Sequence, residues 1–171
     1  MKPISNNAEK DKAILEECLI LAKEAVEAGD EPFGSVLVNP VGDIIAKARN
    51  RVNERNLLAH PEIELAEWSL ENLTGEERGQ ATMYTSGEHC PMCAAAHGWA
   101  GIGGLVYLSS AEQLQQWLKE FDAPEAPIHF VPVGNILKTT SIRFSGDTEQ
   151  IAEIKALHGQ YLYRKRKKSK S

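Results

Sequence analysis

His60-Pro61-Glu62 and Cys90-Pro91-Met92-Cys93, with 27 residues between them, carry the side-chain types that hold a transition metal. Neither stretch fills a zinc shell alone. Zinc normally takes four ligands, and a hydrolytic site uses three from the protein and leaves the fourth position to water. His60, Cys90 and Cys93 make three. Glu62, two residues past the histidine, offers a carboxylate able to carry protons beside the metal without binding it. Zinc held this way lowers the pKa of its bound water from about 15.7 towards about 7. Glu62 would take the water's proton and pass it to a leaving amine. That chemistry suits attack on an amino-bearing carbon of a C=N system, with release of ammonia.

A CxxC pair by itself also suits a redox couple or half of a structural zinc site. The HxE stretch at this distance favours the open, catalytic arrangement. A closed structural site would need a fourth protein ligand, for which His89 is the obvious candidate, although adjacent residues rarely both reach one metal.

The elements that must position these groups follow from periodicity. Ile14, Cys18, Leu21, Ala25 and Ala28 recur at three- and four-residue steps, which predicts a helix over Asn7 to Ala28 closed by Gly29. Pro32 to Val38 and Ile44 to Arg49, joined by Asn39-Pro40-Val41-Gly42-Asp43, read as a hairpin, and Gly34 hints at a close backbone approach. After a polar loop over Asn50 to Ala59, His60 opens a helix to about Leu73, with Pro61 tolerated at its first position. Thr74 to Gly79 reads as a charged loop. A strand over Ala81 to Thr85 leads into an Ala-rich helix from about Pro91 to Ala100, ended by Gly101, Gly103 and Gly104. Leu105 to Leu108 is a short strand, Ala111 to Phe121 an amphipathic helix, Ile128 to Val133 a strand, and Thr148 to Tyr163 a last helix. Both halves of the metal cluster then sit at helix starts, where partial positive charge favours thiolates. Alternating strands and helices predict an α/β/α sandwich around a mixed or parallel sheet.

Composition sets the outer limits. The 171 residues fit one domain, expected over 1–163, and 42% hydrophobic with 25% charged residues is ordinary for a globular chain. No apolar run approaches the roughly 20 residues that span a bilayer, and Met1 to Lys12 is polar, so a cytoplasmic protein without membrane contact is expected. Three cysteines make a poor disulfide framework, and Cys18 reads as a buried thiol. The net charge of -5 includes six basic residues in 164–171, an end expected to be solvated and disordered. Without it the body holds 13 basic against 24 acidic residues, a net of -11. Such a surface repels a phosphate backbone, so RNA is possible as a partner but not favoured.

His60-Pro61-Glu62 followed by Cys90-Pro91-Met92-Cys93 resembles the zinc signature of the cytidine and deoxycytidylate deaminase superfamily, H-x-E…P-C-x-x-C. Pro32-Phe33-Gly34-Ser35-Val36-Leu37-Val38, Arg49-Asn50-Arg51, Ala59 and Ala94-Ala95-Ala96 are similar to the branch that holds guanine deaminases, cytosine deaminases and tRNA adenosine deaminases. The resemblance covers roughly residues 8 to 121. It implies one zinc per chain on His60, Cys90 and Cys93, with Glu62 as proton shuttle. It also implies Asn50 bonded to the base, Phe33 lining the pocket, a five-stranded sheet and a homodimer. His89 departs from the family proline before the first cysteine and becomes a candidate substrate contact. The function so implied is hydrolytic deamination of a nucleobase, nucleoside or similar small heterocycle. Two alternatives stand beside it, a tRNA adenosine deaminase and a non-catalytic zinc-binding interaction module.

Overall fold

A computed structural model describes residues 5–171. A five-stranded sheet in the order β2-β1-β3-β4-β5 forms the middle layer. Its strands are β1 (Gly34–Val38), β2 (Ile44–Arg49), β3 (Thr82–Gly87), β4 (Gly104–Ser109) and β5 (Ser141–Phe144). β1 runs antiparallel to β2 and β3, whereas β3, β4 and β5 are mutually parallel, so the sheet is mixed as expected.

Period-two alternation divides the apolar side chains between the two faces. Val36, Val38, Tyr84, Val106 and Leu108 pack against α1 (Ser5–Glu27), Trp117 of α5 (Ala111–Glu120) and Ile154 of α6 (Thr148–Ser169). On the other face Leu37, Ala48 and Met83 meet Leu65 and Ala66 of α2 (Pro61–Asn72) and Ala100 of α4 (Pro91–Ala100). The three-layer α/β/α sandwich is therefore present. Gly34 lies directly under α1, where an added Cβ would run into the Cys18 carbonyl and lie 2.5 Å from Leu21 Cβ. Cys18 is buried, as its sequence setting implied, and its thiol donates to the Tyr84 carbonyl at 3.4 Å.

Three expectations change. Thr74 to Gly79 is not all loop, because α3 (Gly75–Gln80) forms there behind a capping box in which Thr74 accepts from the Glu77 amide and Glu77 from the Thr74 amide. Ile128 to Val133 is no strand. Pro127 and Pro132 bring no amide donors to a ladder, and the place beside β4 is filled by Ser141–Phe144. The basic end is helical as far as Ser169. Arg164 donates to the Val26 carbonyl in the last turn of α1, which also accepts from the Gly29 amide, and Arg166 donates to the carbonyl of Phe121 at the end of α5, so two arginines dock at helix C-termini. Among the described residues no helix is long and apolar enough to cross a membrane.

Candidate metal centre and its cavity

The parallel strands β3 and β4 end at Gly87 and Ser109, and the chemistry gathers beyond those carboxyl ends, the usual place for ligands in α/β sheets. His60 is the N-cap of α2 but makes no side-chain cap bond, so its ring is free for another task. Cys90 is the N-cap of α4, and its sulfur accepts from the Cys93 amide at 3.5 Å. Proline at the first position of each helix fixes the backbone where no intrahelical donor is lost.

The two helix starts bring His60 Nδ1 to 3.7 Å from Cys90 Sγ and 3.4 Å from Cys93 Sγ. All three donor atoms lie within 4.8 Å of one another. A tetrahedral ion with Zn–S near 2.3 Å and Zn–N near 2.0–2.1 Å separates sulfur from nitrogen by about 3.6 Å. The cluster thus has the donor types and spacing to hold zinc. Hydrogen bonding from Cys93, helped by His60, pulls the Cys90 thiol down to about 4 against its burial. The Cys93 thiol is pushed up, first by Cys90 and then by burial. Burial alone would lower His60, but Cys90 and Glu62 outweigh it and raise its pKa.

Glu62 is the second residue of α2 and is only 5% exposed. Thr85 Oγ1 donates to its Oε1 at 3.0 Å, and Ser35 Oγ stands 2.9 Å from Thr85 Oγ1 and 3.3 Å from the same carboxylate oxygen. The Cys93 thiol is 3.7 Å from Oε2. Burial raises the Glu62 pKa, partly opposed by His60. That shift favours the protonated carboxyl over the anion.

Of these groups, His60, Glu62 and Cys90 stand in the wall of a cavity of about 550 Å³. Phe33 and His89 line it too. The 123–131 segment and α6 supply much of the remainder, including Phe130, His158, Tyr161 and Lys165. Asn50 is fully buried beside it. Its Oδ1 accepts from the Glu31 and Val52 amides at 3.3 and 3.1 Å, and its Nδ2 has no protein partner. A smaller cleft of about 170 Å³ opens near Thr82 and Gly104, at the opposite end of the strands.

Sequence reasoning missed Ser35 and Thr85, although a polar residue inside an apolar strand such as Gly34–Val38 was the available signal. His97 and His158 stand alone in the sequence and carried no signal there either. His97 Nδ1 lies 3.0 Å from His89 Nε2, and His158 packs edge-on against Phe33 with ring centroids 5.2 Å apart. No local pattern announces either contact.

Residues 8–109 match the cytidine and deoxycytidylate deaminase zinc-binding region, and the chain belongs to that family. Among its relatives, a probable cytosine deaminase of Schizosaccharomyces pombe is 34% identical over 63% of this chain and 65% of its own. A tRNA-specific adenosine deaminase of Agrobacterium fabrum is 39% identical over 54% of this chain and 61% of its own. The chain thus spans somewhat less than two thirds of these relatives. A chain solved in work on A-to-I editing by tRNA:A34 deaminases shares 30% identity at a TM-score of 0.60, covering 84% of this chain and 99% of that one. A guanine deaminase from Nitrosomonas europaea, at 22% identity and a TM-score of 0.68, covers 88% of this chain and 84% of its own and matches in fold.

Proposed function

We propose that the protein is a zinc-dependent hydrolytic deaminase of a free nucleobase, nucleoside or similar small heterocycle. The observation that carries this reading is convergence. His60 and Cys90, two of the three clustered potential metal ligands, and the buried Glu62 carboxyl line a mostly apolar cavity sized for a single small ligand, and Cys93 completes the cluster.

His60, Cys90 and Cys93 would hold the zinc, which when bound supplies the Lewis acidity that activates water at neutral pH. Glu62 takes one proton from the attacking water as the new C–O bond forms at the amino-bearing carbon. It returns that proton to the departing nitrogen as the C–N bond breaks and ammonia leaves. Thr85 and Ser35 hold the carboxyl in place through both transfers. Asn50, with Oδ1 occupied by two amides, keeps Nδ2 as a donor for a ring nitrogen or carbonyl oxygen of the base. Phe33 packs against the ring. A second copy of this chain is the expected partner, and the exposed Leu70 and Trp99 of α2 and α4 offer apolar surface for it.

Ammonia release from the zinc-loaded protein, measured across guanine, adenine, cytosine, isocytosine, their nucleosides and creatinine-like compounds, tests the reading. Turnover of one of them supports it. No release from any, at one zinc per chain, overturns it.

A second reading, a tRNA adenosine deaminase, is favoured by one observation. Lys165 lines the cavity, Lys167 and Lys168 follow it in the last turn of α6, and Lys170 comes just after the helix. RNA affinity that falls steeply with salt would support it, and weak, salt-insensitive binding would remove it. A non-catalytic zinc module has no use for a carboxyl buried against the ligands.

A further inference from the structure

His89 is 1% exposed, lines the cavity next to Cys90, and has two ring nitrogens to account for. One is fixed by a short relay. His97 Nε2 lies 3.2 Å from the Ile102 carbonyl oxygen, which can only accept, so His97 Nε2 carries the proton. The other nitrogen of a neutral His97 is then an acceptor. His97 is fully buried, and burial lowers its pKa to about 4, so it is neutral in ordinary buffers. His89 Nε2, 3.0 Å from His97 Nδ1, must therefore be the donor of that pair. With both buried rings neutral, this assignment leaves the lone pair of His89 on Nδ1. That atom is buried and without any protein partner among the described residues.

An unpaired buried acceptor is costly, and one held in a single tautomer in the wall of a binding cavity has an obvious complement in a ligand donor. Resting on the deaminase reading, we infer that His89 is a specificity-determining residue whose Nδ1 accepts a hydrogen bond from a ring N–H of the substrate. His97 and the Ile102 carbonyl act as the positioning groups that keep Nδ1 bare. A proline at position 89 could offer no such acceptor, so this chain should demand an N–H where a proline-bearing relative need not. Asn50 Nδ2 is the other buried polar atom near the cavity without a partner, and it is a donor. The two together would suit a heterocycle presenting both an acceptor and a ring N–H.

The test is a cycle on the zinc-loaded full chain with guanine, cytosine and adenine, each beside its ring-N-methylated derivatives. In the wild type, methylating the contacting N–H should lower kcat/KM by about tenfold to a hundredfold. In His89→Leu, at unchanged zinc content, the same methylation should change it by less than about threefold, because the partner is gone. His89→Asn, whose Oδ1 can stand where Nδ1 stood, should restore the discrimination. A methylation penalty of equal size in the wild type and in His89→Leu would overturn the inference. A second readout needs no turnover. The ¹⁵N resonances of the His89 ring should report Nε2 protonated and Nδ1 bare, and the Nδ1 signal should shift when a base binds. A protonated Nδ1, or one unmoved by a bound base, would likewise overturn it. Absence of ammonia from the wild type counts against the deaminase reading alone, and the ring titration then decides for His89.

Discussion

Thr85 Oγ1 donates to Glu62 Oε1 at 3.0 Å, joining the end of β3 to the first turn of α2 inside the sheet-helix interface. One carboxylate oxygen is thereby held by strand hydroxyls, and the other is left towards the ligand cluster, where the Cys93 thiol is 3.7 Å away. Glu62→Gln keeps the shape and the hydroxyl contacts but cannot exchange a proton. Ammonia release is expected to fall by about 10² to 10⁴, with one zinc per chain retained by metal analysis. Thr85→Val is expected to lower kcat about tenfold with little change in KM, since it loosens the carboxyl without touching the cavity wall.

Metal removal should cost stability as well as activity. A ligand present at 1,000 times its Kd stabilises the folded state by about 4 kcal/mol. For a chain of this length that corresponds to roughly 8–16 °C in Tm. Chelation of the zinc-loaded protein should produce a drop of that order in calorimetry, and Cys93→Ala, which removes one of the three clustered donors, should show almost none.

Acid should unfold the protein through its buried histidines. Burial holds the His158 pKa down to about 3 and the His97 pKa down to about 4, from an ordinary value of 6.5. The unfolded chain therefore binds more protons than the folded one between those limits. Stability is full above about pH 6.5 and is lost as pH falls towards 4, by up to about 1.4 kcal/mol per pH unit for each histidine. Urea midpoints measured from pH 7.5 to 4.5 should decline accordingly, and less steeply in His158→Phe.

Gly34→Ala is expected to destabilise by about 1–3 kcal/mol, because the new methyl meets the Cys18 backbone carbonyl, which cannot rotate away. Denaturant unfolding measures it. The same substitution at Gly101 would probe a different cause, since that residue ends α4 with φ of 74° and has no neighbour for a Cβ to strike.

Much of this protein was legible before folding. The His60-Pro61-Glu62 and Cys90-Pro91-Met92-Cys93 stretches carry their meaning in residue type and spacing, because a metal ligand set and a helix start are both local constraints. The alternation of strands with helices along the chain announced a sheet covered on both sides, and Gly34 announced a close backbone approach. The Thr74–Glu77 capping box was equally local and was simply passed over.

Other features arise only when distant segments meet. The segment from Ile128 to Val133 resembles a strand by composition, yet which segment pairs with β4 is decided by competition for one edge, and Ser141–Phe144 takes it. The basic end resembles a solvated tail until the carbonyls of Val26 and Phe121 give its arginines a docking place. His89 shows the division most clearly. Its position before Cys90 marked it as unusual, but its tautomer depends on His97, eight residues away across a helix start, and on the Ile102 carbonyl beyond that. The residue types and spacing of the candidate cluster were written in the chain; the direction in which a buried proton points was left to the packing, because a hydrogen bond is fixed by its partner and not by its neighbours in sequence.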